Sequence, residues 1–307
     1  ELGLFTLQRL EFGQGGLDAG LRIDTRELRA DLKGRTTSTP ASELGLDWSR
    51  TPDTRRFTNL SASAGLFWKP SEPVFLAANL AYSGRAPTEF EIFADGPHGG
   101  TSTFEIGDPT LESERALSLE LTFRWKGDNA RFEAHAWGAR YRGFIEERPT
   151  GQTWEGLPVF HFQQSDADFM GFEFEGEKTL LRRDTGELVA RLSGDTVRGA
   201  TDFGAPPRIP AYGLTGELAW NSEPLDLEFE VRRVGDQTRT APFELPTDGY
   251  TALNASLAWR PIADTPVTLS LRGRNLTNAE IREHASFLKD IAPSPARSVS
   301  ASLSWTF

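Results

Sequence analysis

Cysteine does not occur among the 307 residues, and methionine occurs once. That excludes a disulfide framework, a thiolate metal site and a cysteine nucleophile. Histidine is scarce as well: His98, His135, His161 and His284 are the four present, and they bound any imidazole chemistry. Positive charge is in deficit, with 33 Lys+Arg against 44 Asp+Glu and a formal net charge of −11. A nucleic-acid partner needs a basic footprint, so that class is set aside. Long apolar runs are missing too. The best, Val74-Phe75-Leu76-Ala77-Ala78, stops at Asn79, far short of the ~18 residues of a membrane-spanning helix. Neither a basic start nor a cleavage site opens the chain at Glu1-Leu2-Gly3-Leu4-Phe5, so the expectation is a mature chain or a fragment. No repeat of propeller or solenoid length is visible. With 38% hydrophobic and 11% aromatic residues, the chain is too apolar for disorder.

What is present is alternation. From Ser298 to Phe307, Val299, Ala301, Leu303, Trp305 and Phe307 share one face, and Ser298, Ser300, Ser302, Ser304 and Thr306 share the other. Strict period two makes this a strand with one greasy and one polar face. Leu117, Leu119, Leu121, Phe123 and Trp125 repeat the pattern against Ser118, Glu120, Thr122 and Arg124, and Leu227, Phe229 and Val231 repeat it against Glu228, Glu230 and Arg232. A mean hydropathy of −0.42 hides such strands, because their two faces average out.

Thirteen strands are expected, near 1–12, 17–30, 57–68, 74–84, 114–126, 130–147, 162–179, 187–198, 212–221, 225–235, 249–260, 266–275 and 297–307. Their connections alternate. Short turns such as Gly13-Gln14-Gly15-Gly16, Gly127-Asp128-Asn129 and Pro261-Ile262-Ala263-Asp264-Thr265 carry Gly, Pro, Asn and Asp. Long joins fall near 31–56, 85–113, 148–161, 199–211, 236–248 and 276–296. Strands of about ten residues suit a tilted crossing of a bilayer. Trp68, Trp125, Trp220, Trp259, Trp305 and Phe307 near strand ends suit an aromatic girdle. The expected fold is all-β, an antiparallel transmembrane β-barrel portion. Two other readings stay open: a passive outer-membrane porin, and a secreted soluble β-sandwich that binds carbohydrate.

The stretch 84–115 contains Arg85-Ala86-Pro87-Thr88, then Glu91-Ile92-Phe93, then Gly107-Asp108-Pro109-Thr110-Leu111-Glu112-Ser113-Glu114. It resembles the loop signature of TonB-dependent outer-membrane receptors, with Asp108 where that family usually has Asn. Arg274-Asn275-Leu276-Thr277-Asn278 and the terminal Phe307 resemble the family's closing motifs. Gly96-Pro97-His98, Thr103-Phe104-Glu105 and Glu283–Asp290 are most similar to zinc-uptake-type receptors. The resemblance implies a 22-stranded barrel around an N-terminal plug. It also implies uptake of a metal ion or metal complex, zinc first and a siderophore next, driven by the inner-membrane TonB energy-transducing complex. The location implied is the bacterial outer membrane, with lipid around the barrel. Against that pattern, residues 1–307 are expected to be the C-terminal barrel portion, about thirteen of 22 strands, with plug and TonB box missing. No cofactor is implied beyond zinc as transported substrate.

Residues 86–114 hold Glu89, Glu91, Asp95, Glu105, Asp108, Glu112 and Glu114 with no Lys or Arg, and one imidazole, His98. Acids without counter-charge concentrate cations, and carboxylate with imidazole suits zinc. The expected metal ligands are His98, Asp95, Glu105 and His284; a solvated acidic loop that binds nothing is the alternative. His284 is expected to be exposed, His161 to sit on the rim, and His135 to pair with charges on the polar face. No nucleophile–base–acid arrangement is visible, so no enzyme is expected.

Overall fold

The computed structural model describes residues 1–31, 36–48, 53–261 and 267–305. Its strands are β1 Leu2–Phe12, β2 Gly15–Arg29, β3 Thr54–Ser71, β4 Val74–Arg85, β5 Asp95–His98, β6 Thr103–Ile106, β7 Glu114–Lys126, β8 Ala130–Trp154, β9 Leu157–Arg183, β10 Gly186–Thr201, β11 Gly213–Asn221, β12 Leu225–Val234, β13 Tyr250–Trp259, β14 Val267–Arg274 and β15 Ser298–Trp305. Two short helices, α1 Thr39–Glu43 and α2 Glu89–Phe93, lie in the joins. One sheet contains every strand, and its path runs β1-β2-β3-β4-β7 and onward in chain order to β15. Those are the thirteen expected strands. β5 and β6 form a hairpin off the path. β1 and β15 do not pair with each other among the described residues. The expected turn 262–265 and the strand-end residues Thr306 and Phe307 lie outside the described residues.

Among the described residues, the sheet has no core beneath it. Leu119 is 46% exposed, Phe229 45% and Trp305 68%, so the apolar side chains of the alternating strands stand free. A soluble sandwich would bury that face against a second sheet, which removes the sandwich reading. The opposite face is laced with charge: Arg124 to Glu133 at 2.7 Å, Arg131 to Glu175 at 3.1 Å, Arg191 to Glu177 at 2.8 Å. His135 joins them, as expected, with Nε2 2.7 Å from Glu133.

Buried apolar residues collect instead at the long-loop end. Leu28, Trp48, Phe57, Ala86, Ile92 and Phe93 form one cluster, and Ala41, Phe104, Ile106 and Val159 form another. Helix α1 is capped by the Ser38 hydroxyl, and α2 has a full capping box from Thr88 and Glu91, which lets such short helices hold their place.

The expected loop 148–161 is a correction. β8 and β9 continue as one long hairpin that turns only at Glu155 and Gly156. Both turn residues have positive φ, 52° and 85°, the requirement of a two-residue hairpin turn that follows the strand twist. Breaks in register at Tyr141/Phe144 and Pro149/Thr153 absorb the glycines and prolines that read as loop. Beyond Thr201, where β10 leaves Ala167, the free edge of β9 is taken by β6 in parallel register, Phe104 to Val159 and Ile106 to His161. The β5–β6 hairpin, which leaves the sheet between β4 and β7, thus crosses to dock on β9.

Candidate functional site

The docked hairpin makes a small plate of β5, β6, and the upper parts of β9 and β8. Side chains opposite one another across paired strands share a face. Phe104, Ile106, Val159 and His161 therefore point one way, onto α1 and its neighbours Leu44 and Leu46. His98, Thr103, Glu105, Phe160 and Glu147 point the other way. These upper segments lie beyond the band of exposed apolar residues.

On that second face the His98 ring Nδ1 is 2.8 Å from Glu105 Oε1. Glu105 Oε1 also accepts from the hydroxyls of Thr101, at 2.9 Å, and Thr103, at 3.0 Å. Glu105 is 7% exposed, and His98 remains exposed. Of the expected ligands, these two are brought together. Asp95 lies at the other end of β5, on the opposite face with Ile106, where Oδ2 accepts from the Ser38 backbone at 3.0 Å. His284 is 4% exposed, which corrects the expectation of an exposed ring. Its Nδ1 is 2.9 Å from Thr247 Oγ1, and its Nε2 3.3 Å from Glu244 Oε1. No group of three or more His, Asp or Glu side chains placed to hold a metal occurs among the described residues. The expected set of four is therefore not assembled by this chain.

The acids of 86–114 are also better compensated than their local sequence suggests. Arg85 reaches Glu91 at 2.9 Å and Glu114 at 3.2 Å, Arg26 reaches Glu89 at 2.9 Å, and Arg55 reaches Glu112 at 3.4 Å. The uncompensated acidic loop is thus corrected to a segment in which four of the seven acids, Glu89, Glu91, Glu112 and Glu114, are paired with arginines from outside it.

Sequence reasoning missed Glu147 and Arg208. Glu147 is 8% exposed; one carboxylate oxygen is 3.7 Å from Arg208 Nη2, and the other has no hydrogen-bond partner among the described residues. Burial, reinforced by the nearby Glu105 carboxylate, pushes its pKa up to about 7. Burial likewise lowers the Arg208 guanidinium against the pull of Glu147 and Glu244, and Arg208 stacks 3.8 Å over the Phe287 ring. His161 is buried in the opposite face, and burial lowers its pKa. In sequence, Glu146-Glu147-Arg148 looks like an ordinary solvated charge run.

Glu244 fastens three loops together. Its carboxylate accepts from the Arg208 backbone at 2.8 Å and the Ala241 backbone at 3.0 Å, and faces His284. Burial would raise its pKa, but the bonds from His284 and the two amides outweigh that and hold it below the usual carboxylate range. Thr247, His284 and Glu244 stand in the order hydroxyl, imidazole, carboxylate. Thr247 and His284 are 5% and 4% exposed, and the Glu244 side chain 7%, so the three groups are shut away from any substrate and act as a clasp.

Comparison with known proteins gives a family match, described as TonB dependent receptor-like, beta-barrel, over residues 1–276. Among solved structures, the chain is similar to the copper transporter OprC, with a TM-score of 0.76, 18% identity, and coverage of 99% of this chain and 47% of that one. It is similar to the FrpB iron transporter from Neisseria meningitidis (F3-3 variant), with a TM-score of 0.69, 16% identity, and coverage of 98% and 44%. The siderophore receptor PirA from Pseudomonas aeruginosa gives a TM-score of 0.62, 16% identity, and coverage of 98% and 47%. At these identities the likeness establishes the fold. The chain spans about half the length of these solved structures.

Proposed function

The chain belongs to the TonB-dependent receptor-like β-barrel family, and we propose that it is the C-terminal barrel portion of a bacterial outer-membrane receptor for a metal ion or metal complex. The observation that carries this reading is the His98–Glu105 pair, 2.8 Å apart, held on a hairpin at the loop end of a sheet whose outer face carries a bare apolar band. Lipid covers such a face. Zinc is the substrate we place first, on the two loop resemblances and the imidazole–carboxylate chemistry; a siderophore complex comes next. His98 and Glu105 supply two donors. The remaining donors come from other parts of the receptor for a bare ion, or from the chelator for a complex. Uptake draws on the inner-membrane TonB complex acting through a plug domain, which favours coupled transport over a passive pore. No enzymatic activity is assigned.

Zinc titration of the intact receptor against its His98→Ala variant tests the site. Loss of affinity in the variant supports it. Equal affinity removes His98, and absence of zinc binding in both proteins moves the substrate to a metal complex. Metal uptake by energised and de-energised cells tests the coupling.

A further inference from the structure

We infer that the outer face carries a site for the phosphorylated headgroup of an outer-leaflet lipid, formed by Arg115 of β7 and Arg142 of β8; this rests on the outer-membrane reading above. The two residues stand directly opposite each other in the β7–β8 register. Both are exposed, and neither has an ion-pair or hydrogen-bond partner among the described residues. Like charges directly opposed across strands destabilise a sheet. An acidic chain of net charge −11 has carboxylates to spare, yet none is spent here. Two acids of the neighbouring β9 are engaged: Asp168 binds Arg140 at 2.9 Å, and Asp166 accepts from the Gly143 backbone at 3.2 Å.

The height of the pair identifies its anion. Below Arg115 on the same face run Leu117, Leu119, Leu121, Phe123 and Trp125, each between 37% and 51% exposed. About ten residues at roughly 3.3 Å each separate Arg115 from Trp125, so the strand covers about 33 Å between them. At a tilt near 40° that is about 25 Å along the membrane normal, the height of the apolar band of an outer-membrane barrel. With the Trp125 ring at one interface, Arg115 and Arg142 stand at the other, on the long-loop side. The anions at that level are headgroup phosphates, which guanidinium forks bind in bidentate fashion.

The test reconstitutes the full chain in phosphatidylcholine vesicles carrying diphosphoryl lipid A or its dephosphorylated form, then counts lipid retained on re-extraction by native mass spectrometry. The wild type is expected to retain the phosphorylated lipid about tenfold better, the worth of a charge-assisted contact. Arg115→Gln with Arg142→Gln should erase that preference, whereas Arg183→Gln, at the short-turn end, should leave it. Removing opposed like charges relieves repulsion, so the double variant keeps its fold, which circular dichroism checks. Equal retention of both lipids by the wild type, or an unchanged preference in the double variant, overturns the site. Displacement of the lipid by inorganic phosphate at equal affinity overturns the lipid assignment in favour of a free anion. A chain that stays wholly open to protease beside the vesicles overturns the outer-membrane reading, and this site with it.

Discussion

Phe104 lies in parallel register with Val159, although the rest of the sheet is antiparallel along its whole path. A parallel rung between strands so placed needs a long crossing connection, and residues 107–156, which include β7 and β8, provide it. The plate this builds is pinned by Phe104, Ile106, Val159 and Ala41 on one face and by polar contacts on the other.

Truncating Ile106 should loosen the plate alone. Ile106 is 0% exposed, and Ile→Ala in such a site costs about 2–5 kcal/mol. Hydrogen exchange at residues 103–106 should speed up, while the β7–β8 amides keep their protection. Equal acceleration in both places would show that the plate is not a separate unit.

The transmembrane pattern was legible because alternation is local. β7 was expected at 114–126 and is found at Glu114–Lys126. The upper β8–β9 hairpin was not legible, since Pro149, Gly151, Gly156 and Pro158 carry loop chemistry and the partners that hold them extended, β6 and α1, come from distant sequence. Charge balance failed for the same reason. Arg26, Arg55 and Arg85 lie outside 86–114, so counting that segment by itself mistook paired acids for free ones. His98 and Glu105 were legible as neighbours in one loop; Glu147 was not, because burial rather than residue type sets its character.

The outer face should reject charge. Leu119→Arg puts a cation near mid-membrane and is expected to cost about 2–4 kcal/mol in vesicles. Glu120→Gln, one residue along on the polar face, removes only a 3.4 Å contact with His135 and should cost under about 1 kcal/mol. Urea unfolding from vesicles measures both; similar losses would contradict the assignment of faces.

Plate stability should fall as pH rises toward neutrality. The Glu147 carboxyl is raised to about 7 from an ordinary 4.5, so the closed plate holds a proton that the opened one releases. Between those values the native state binds more protons, and stability declines with pH. The stabilisation is complete below about pH 4.5 and gone above about pH 7, a swing of roughly 3 kcal/mol if opening restores the ordinary value. Hydrogen exchange in residues 144–165 followed from pH 5 to pH 8 should show it. Glu147→Gln should flatten the profile and slow exchange at pH 8. A variant with the wild-type slope would place the titration on another group.

His284 should prove to be a clasp and not a ligand. Its Nδ1 is occupied by Thr247 at 2.9 Å, and its Nε2 faces Glu244 at 3.3 Å. Removing the ring leaves a buried hydroxyl and a buried carboxylate with one partner fewer, a loss of about 1–3 kcal/mol. That loss falls on the loops at 202–212, 235–249 and 275–297, which Glu244 and His284 hold together. Proteolysis of these loops should therefore accelerate in His284→Ala, while zinc affinity of the intact receptor stays within a factor of about two, because no donor at the His98–Glu105 pair is touched. His284→Gln, which keeps a donor and an acceptor in the same space, should recover part of the protection. If zinc affinity instead falls with His284→Ala as far as with His98→Ala, the ring must leave Glu244 to reach the metal, and the clasp would be the resting form of a ligand.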